Sequence, residues 1–393
     1  MLIKETRKFR MSEKLLYHII TRQAGTVEKA WLEIVQNAID AGATKVEFKI
    51  NANKFQVIDN GKGMDKKEIL TYFEEFGNSS KTEDDLGMFG VGRGQIFSFG
   101  KVEWCTNNYK MEVNIKERGM KYVVKDIQNK IKGTEINVVT YNKIKFMDKK
   151  IERFKDMIKF VEINVYVNKQ LICESYSPTL EIPEGKIILT NEDTIKIYNR
   201  GIYVKDDNIG SGAIIISSKN LKVNFARNDI MDECPVYSVL LEKTKQLIGN
   251  RLNEKQSLSS DDRKTIINLM REDRIWIDNF NDKKVIPTAN NNFVSIKEVG
   301  NSKVIYFSDG KNQYEDDLLI EQGYTILKPI PVIKGILNEA LGLTNVGNYQ
   351  ELVQSFRYVV QQEVRPTELS EPEIENWNKI IHLNNRISGV TKR

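Results

Sequence analysis

The stretch TVEKAWLEIVQNAIDAG at residues 26–42 decides how the beginning of the chain folds. Its apolar residues recur every three or four positions, which predicts an amphipathic helix, and Gly42 is placed to end that helix. The polar residues Glu33, Asn37 and Asp40 lie within about 60° of one another on the face opposite the apolar stripe. A carboxylate, an amide and a second carboxylate on one face suit a Mg²⁺ ligand beside a base that activates water.

Two strands and a turn with two glycines follow this helix. VEFKI (46–50) and FQVID (55–59) alternate apolar and polar residues like the strands of a hairpin. The turn DNGKGM begins at Asp59, and its glycines Gly61 and Gly63 allow the backbone to turn sharply and to approach a ligand closely. An aspartate at a strand end can accept a hydrogen bond from an exocyclic amine and reject a carbonyl in the same place.

A glycine-rich segment, GNSSKT at 77–82 and GMFGVGRG at 87–94, leads into a predicted helix at 95–99. Backbone N–H groups of glycines that enter a helix form a nest for anions such as phosphates. Further on, Thr134 follows Gly133 at the predicted start of a strand, where its hydroxyl could support the strand-end aspartate through a water molecule.

The remaining pattern predicts an α+β fold. A layer of helices is followed by an antiparallel sheet, which indicates a sandwich and not alternating βαβ units. After a helix at 148–160, residues 161–230 are rich in strands and residues 284–330 predict a small αβ unit. Further helices are predicted at 65–76, 236–256, 260–271, 332–341, 349–363 and 373–385. We expect four parts, with boundaries at 1–175, 176–275, 276–335 and 336–393.

The composition excludes several functional classes. The chain has 393 residues, of which 40% are hydrophobic and 29% charged, as in an ordinary globular protein. Its three cysteines lie far apart, which argues against a disulfide scaffold or a Cys-based zinc site and fits a reducing cytoplasm. Two histidines make a Ser-His-Asp triad or a His-rich metal site a poor expectation. No secretory signal and no uncharged run of about 18 residues is found, so no membrane association is expected.

Positive charge is concentrated in the first part of the chain. The net charge is +5, and residues 1–150 contain 27 Lys and Arg against 20 Asp and Glu. Basic residues recur over 110–150. Such a patch could attract phosphate backbones, or it could be the solvated face of surface strands.

Four motifs occur in order between residues 26 and 140: E-x-x-x-N-A-x-D-A (Glu33 to Ala41), D-x-G-x-G-M (Asp59 to Met64), G-x-x-G-x-G (Gly87 to Gly92) and G-T (Gly133, Thr134). Together they resemble the four boxes of the GHKL superfamily. That superfamily has the Bergerat ATP-binding fold and includes gyrase B, the ninety-kilodalton heat-shock chaperones, histidine kinases and MutL. The resemblance implies that the chain binds and hydrolyses ATP with Mg²⁺.

The resemblance also implies a role for each matching residue. Glu33 would be the general base that deprotonates the attacking water, Asn37 would coordinate Mg²⁺, and Asp59 would recognise the adenine amine. Residues 77–92 would form a lid over the phosphates. The other nucleotide-binding positions that it implies are Asp40, Gly61, Gly63, Met64, Gly77, Ser80, Lys81, Gly87, Gly90, Val91, Gly92 and Thr134.

A histidine kinase reaction is disfavoured within this superfamily. The corresponding kinase helix lacks the base and the DA ending found here. His18 is the one upstream candidate for a phosphate acceptor, and it has no acid beside it. Hydrolysis is therefore favoured over phosphate transfer to histidine.

The second part of the chain resembles the middle domain of the ninety-kilodalton chaperones. Residues 194–230 contain LKVNFARN at 221–228, and Arg227 matches the family arginine that reaches the γ-phosphate. Residues 294–328 resemble a later part of that domain more loosely. The charged linker of those chaperones is missing, and the roughly 60 residues after 335 are too few for their C-terminal dimerisation domain.

Three hypotheses follow from these resemblances. The leading one is an ATP-hydrolysing conformational switch in which ATP closes the lid and promotes association of two N-terminal domains, so that the partner is a second copy and an unknown protein client. The second is a DNA-acting ATPase like MutL or the topoisomerase VI B subunit, with nucleic acid the less favoured partner. The third is an ATP-sensing subunit of a phage or bacterial conflict complex.

Overall fold

The computed structural model describes residues 12–22, 25–76, 92–224, 226–362 and 372. The chain divides into two compact units, Met1–Arg251 and Leu252–Arg393. The first unit contains a six-stranded and a five-stranded sheet, and the second contains two two-stranded sheets. Helices accompany the strands in both units, which confirms the predicted α+β class.

The first unit begins with two helices and a hairpin, of which the second helix and the hairpin were predicted. Its helices are α1 (Glu13–Arg22), α2 (Val27–Asp40), α3 (Lys66–Glu68), which continues as a π-helical turn (Ile69–Phe73), α4 (Arg93–Phe99), α5 (Ile115–Arg118), α6 (Met147–Met157) and α7 (Pro235–Glu254). Its strands are β1 (Lys45–Ile50), β2 (Lys54–Asp59), β3 (Gly100–Val113), β4 (Tyr122–Thr140), β5 (Asn164–Val167), β6 (Gln170–Leu171), β7 (Leu180–Ile182), β8 (Gly185–Leu189), β9 (Ile195–Asn199), β10 (Ile202–Asp207) and β11 (Ala213–Ser217).

The first sheet has the order β3-β4-β2-β1-β5-β6 and is mixed. The expectation of a purely antiparallel sheet was wrong at one position, because β5 pairs parallel to β1, with Val165 beside Val46. The connection from β4 to β5 contains helix α6, and a crossover of this kind allows a parallel neighbour. The other strand pairs of this sheet are antiparallel.

Strands β3 and β4 are long and continuous, and they pair with each other over most of their length. The pairing register shifts on both sides of Asn107, whose φ is +48°. A β-bulge of this kind accommodates an extra residue while the ladder continues. The polar TNN segment at 106–108 therefore bends the strand and does not end it.

The core of the first sheet is built on α2. Trp31 is fully buried and makes edge-to-face contacts with Phe55 of β2 and Phe154 of α6, at ring-centroid distances of 6.1 Å and 5.5 Å. The predicted apolar stripe of this helix is buried along its length. Gly42 has a φ of +70° just after the helix, as a C-terminal glycine should.

The second sheet has the order β10-β9-β11-β8-β7, in which β11 runs parallel to β9. Isoleucines from three of its strands (Ile187, Ile197 and Ile215) are fully buried and form a core with Leu240 of α7. This confirms the prediction of a strand-rich region over 161–230.

The second unit is a separate small assembly of helices and short strands. Its elements are α8 (Ser260–Glu272), α9 (Arg274–Asn279), β12 (Ile286–Pro287), β13 (Phe293–Val294), α10 (Ile296–Gly300), β14 (Ile305–Phe307), α11 (Gln313–Glu321), β15 (Thr325–Leu327), α12 (Pro331–Leu341) and α13 (Tyr349–Gln362). Strands β14 and β15 pair in parallel around α11, and Leu319, Ile326, Leu352 and Val353 are buried in one cluster. The helix predicted at 373–385 lies outside the described residues.

Candidate functional site

Helix α2 directs its polar residues toward the rest of the first unit. Glu33 is 7% exposed and Gln36 is 4% exposed, so both are taken out of solvent. Asn37 and Asp40 are half-buried. Burying a carboxylate is unfavourable unless the charge is paired or hydrogen-bonded, and the surroundings of Glu33 provide such a partner in Arg227.

Three polar residues are neighbours on three adjacent strands of the first sheet. Asp59 on β2 pairs with Thr134 on β4, and Thr134 pairs with Thr106 on β3. All three side chains are buried. Burial raises the pKa of Asp59 above its ordinary value, although hydrogen bonds from Gly61 and Thr134 act in the opposite direction.

The turn after Asp59 is fixed by contacts that require small residues. The Gly61 N–H donates to Asp59 Oδ1 at 2.8 Å, and a Cβ at Gly61 would lie 2.9 Å from the Cβ of Ala41 at the end of α2. Gly63 has a φ of +68°, and a Cβ there would lie 2.6 Å from Thr106 Oγ1. Both glycines are therefore needed for the turn to pack against α2 and β3.

Residues of β3 hold the end of this turn. The Met64 N–H donates to Thr106 Oγ1 at 2.8 Å, and the same hydroxyl donates to the carbonyl of Gly133 at 3.0 Å. Asn107 Nδ2 donates to the Met64 carbonyl at 2.8 Å. Sequence reasoning missed Thr106 and Asn107, and the signal that could have found them is the run of polar residues inside an otherwise apolar strand.

The start of α4 lies directly against Glu33. Gly92 is the N-cap residue of this helix, and a Cβ at that position would overlap the Glu33 carboxylate. Helix α4 therefore approaches the acidic side chain as closely as a glycine permits. The other predicted residues of the glycine-rich segment lie outside the described residues: Gly77, Ser80, Lys81, Gly87, Gly90 and Val91.

Arg227 reaches α2 from the loop between β11 and α7 of the same unit, 194 residues after Glu33 in the chain. Its Nη1 donates to Glu33 Oε1 at 2.5 Å and also donates to Gln36 Oε1. The side chains of Arg227 and Glu33 are 17% and 9% exposed, so the ion pair is largely shielded from solvent. Sequence reasoning selected both residues of this pair but missed Gln36, which lies three residues after Glu33 on the same helix face.

A cavity of about 170 Å³ lies beside this ion pair and is lined by Glu33, Gln36, Gln95, Asn199, Tyr203 and Arg227 among others. The side-chain oxygen of Gln95 on α4 is buried and has no hydrogen-bond partner among the described residues. A buried acceptor of this kind is usually satisfied by a water molecule or a ligand. The lining also contains apolar residues such as Leu32, Met157 and Ile202, and the cavity offers acceptors from α2 and α4.

Helix α2 joins the two groups of site residues. Its C-terminal end contacts the turn after Asp59, where the Lys62 N–H donates to the Ala41 carbonyl at 3.0 Å. Its middle contacts Gly92 and Arg227 through Glu33. The model of the family described as "Histidine kinase-, DNA gyrase B-, and HSP90-like ATPase" matches residues 25–150, which contain α2 and the Asp59 turn. Residues 25–150 are a GHKL ATPase domain.

Curated relatives of this ATPase domain are DNA mismatch repair proteins MutL. The MutL of Geobacillus sp. (strain WCH70) is 33% identical over 131 residues, which cover 30% of this chain and 20% of the relative. The MutL of Listeria monocytogenes serotype 4b (strain CLIP80459) is 30% identical over 131 residues, covering 30% and 21%. The MutL of Chloroherpeton thalassium is 23% identical over 265 residues, covering 59% and 40%. These matches span between a fifth and two fifths of the relatives' length.

The described part of the chain contains neither a cluster of metal-binding side chains nor a helix suited to cross a membrane. Among the residues that the structure describes, no three His, Cys, Asp or Glu side chains are grouped so that they could hold a metal ion. No helix in the same part of the chain has the length and apolar character that crossing a membrane requires.

Proposed function

We propose that the chain is a Mg²⁺-dependent, ATP-hydrolysing conformational switch. The observation that carries this proposal is the position of α2, which meets the Asp59 turn at its C-terminal end and Gly92 and Arg227 in its middle. A nucleotide laid along α2 would have its base at the turn and its phosphates beside Glu33.

Asp59 is suited to recognise adenine. Its carboxylate accepts the Gly61 N–H on one oxygen, which leaves acceptor capacity for the exocyclic amine of the base. Thr134 also hydrogen-bonds to this carboxylate, and Gly63 allows the turn to pack against Thr106 of β3. A base with a carbonyl at the same position would place two acceptors against each other and be rejected.

Oxygen donors on α2 fit a magnesium ion. Mg²⁺ is commonly held by one or two protein oxygens together with substrate phosphates and water, not by an all-protein cage. Asn37 would supply the ligand, and Asp40 would support the polar network one turn further on. When bound, the ion neutralises phosphate charge.

Glu33 would act as the general base. Glu33 lines the cavity of about 170 Å³ together with Gln95, whose buried oxygen has no partner within the described part of the chain. A water molecule there could donate one hydrogen bond to each acceptor, which would orient its lone pair for attack on the γ-phosphate. In phosphoryl transfer the protein contributes mainly by positioning and by charge stabilisation, and Arg227 would meet the developing negative charge.

ATP binding would also change the arrangement of the chain. We propose that the nucleotide closes the segment 77–92, engages Arg227 and promotes association with a second copy, and that an unknown protein client or partner responds to this change.

The four-part domain division predicted above remains part of this proposal. The three cysteines are unpaired, in line with the reducing cytoplasm in which we place the protein.

A Glu33→Gln variant tests the proposed chemistry. It should bind ATP at least as tightly as the native chain and lose about 100-fold or more of turnover, since a general base contributes roughly 10²–10⁴. Glu28→Gln is the matched control, because Glu28 is a buried carboxylate on the same helix that pairs with Lys150 at 3.1 Å. Native turnover in Glu33→Gln would overturn the assignment.

A second candidate function is a DNA-acting ATPase. The similarity to the Chloroherpeton MutL extends over 265 residues, beyond the ATPase domain. The lining of a cavity of about 590 Å³ in the first unit includes Lys116, Lys143 and Lys145, and such a groove could attract a phosphate backbone. Stimulation of ATP hydrolysis by duplex DNA that declines steeply with salt would support this function, and no stimulation at low salt would count against it.

A further inference from the structure

The Arg227 side chain donates to Glu33 and Gln36 of α2, and several contacts hold the loop that contains Arg227. The Arg227 N–H donates to the Asn224 carbonyl at 2.9 Å, and the Asn224 and Asn228 side chains are hydrogen-bonded at 3.0 Å. Asp229 forms an ion pair with Lys205 of β10 at 2.9 Å. Arg227 itself has a φ of +54°, a conformation that costs a residue with a side chain energy. The surrounding contacts therefore hold Arg227 in place against α2.

The two acceptors differ in what they contribute. Glu33 provides a buried negative charge, and Gln36 provides a neutral amide oxygen on the same helix face. A guanidinium group that donates to both has a defined position as well as a charge partner. Gln36 is 4% exposed, so its side chain has little freedom to turn away.

We propose that Gln36 is a positioning residue. Together with Glu33 it holds the Arg227 guanidinium in the nucleotide-free protein, and we call these two acceptors the seat of Arg227. The γ-phosphate of ATP competes with this seat for Arg227. This inference rests on the proposed function, because it requires ATP at the site. It adds a control step: Glu33 is paired with Arg227 until phosphate arrives.

The direction of the effect follows from competition between the two partners. An Arg227 held on α2 must leave its seat before it can contact phosphate, so the seat lowers the apparent affinity for ATP. Removing the Gln36 acceptor weakens the seat and leaves Glu33 as a partner. ATP binding should then become tighter, which is the opposite of the effect expected from simple damage to the site.

Two substitutions of Gln36 should act in opposite directions. Gln36→Leu removes the acceptor at similar volume, and it should tighten binding of a non-hydrolysable ATP analogue by about three- to tenfold. Gln36→Glu adds a second carboxylate to the seat and should weaken binding by a similar factor. Each variant is compared with the same substitution in an Arg227→Ala background, where the effect of Gln36→Leu should disappear.

A control variant and a nucleotide-free measurement complete the test. Gln56→Leu removes a part-buried glutamine that donates to Glu135 at 2.8 Å on the sheet, and it should leave analogue binding unchanged. Without nucleotide, amide hydrogen exchange at Arg227 should be faster in Gln36→Leu than in the native chain.

The outcomes separate the two claims. If Gln36→Leu binds the analogue with native or weaker affinity, or keeps its effect without Arg227, the positioning role is wrong while the ATPase proposal stands. If Gln36→Leu binds the analogue more tightly as expected but Glu33→Gln still hydrolyses ATP, the positioning role of Gln36 is correct and the assigned general base is wrong. If the native chain binds no analogue, both proposals fail.

Discussion

Replacing Asp59 with asparagine should change which nucleotide the chain binds while leaving the fold intact. Asp59 Oδ1 accepts the Gly61 N–H at 2.8 Å, and an asparagine would keep this bond by placing its amide oxygen there. Its amide nitrogen would then face the base. That nitrogen donates hydrogen bonds, so it would oppose the exocyclic amine of adenine and match the carbonyl that hypoxanthine carries at the same position.

The size of the effect follows from the hydrogen bond that is lost. A hydrogen bond to a charged group contributes about 1.5–3 kcal/mol, and at 1.36 kcal/mol per factor of ten this corresponds to about a tenfold to 150-fold weaker binding of ATP. ITP should bind the variant more tightly than ATP does, whereas the native chain should prefer ATP.

The free energy of unfolding at pH 7 should rise in Asp59→Asn or stay the same. Burial raises the pKa of Asp59 above 3.8, so the folded chain takes up this proton at a higher pH than the unfolded chain does. The contribution of Asp59 to the free energy of unfolding is therefore greatest below about pH 3.8 and is lost as the pH rises through the raised pKa. An asparagine, which is neutral at every pH, should unfold in urea at pH 7 no more easily than the native chain.

Competition binding with ATP and ITP tests the expected change of nucleotide preference in Asp59→Asn, and urea unfolding at pH 7 tests its expected stability. Undiminished ATP affinity in Asp59→Asn would refute the base-recognition role. Markedly easier unfolding of Asp59→Asn would refute the claim that the buried Asp59 carboxylate lowers the free energy of unfolding at pH 7.

Three other substitutions test the geometry around the site. Thr106→Val removes the acceptor of the Met64 N–H and should weaken analogue binding and lower the free energy of unfolding by about 1–3 kcal/mol, whereas equal binding would show that the turn does not need this bond. Gly92→Ala places a Cβ on the Glu33 carboxylate, so turnover should fall at least about tenfold in a chain with native circular dichroism. Trp31→Ala leaves a cavity in the core and should cost about 3–5 kcal/mol in urea unfolding.

Local elements of the ATPase domain could be predicted because each depends on nearby residues. The apolar spacing of α2 and Gly42 at its end predicted a helix that the structure places at Val27–Asp40. Asp65 was predicted to open a helix, and it forms a capping box with Glu68. The sharp turn after Asp59 could be predicted because Gly61 and Gly63 allow backbone conformations and close approaches that other residues avoid, and Gly63 has a φ of +68° in the structure.

Features that depend on distant parts of the chain could not be predicted in this way. The parallel pairing of β5 with β1 joins residues more than 100 positions apart, and no local pattern encodes that choice. The contact of Arg227 with Gln36 depends on how the second sheet packs against α2. Residues such as Thr106 support the site from a neighbouring strand, so their role appears only when the register between β3 and β4 is known.

Equilibrium dialysis of the full chain against a labelled non-hydrolysable ATP analogue and Mg²⁺ tests most directly whether α2 faces a nucleotide site. We predict saturable binding of one nucleotide per chain, retained in Glu33→Gln and strongly reduced in Asp59→Asn. An analogue that distributes equally across the membrane, or that binds Asp59→Asn as well as the native chain, would contradict this account.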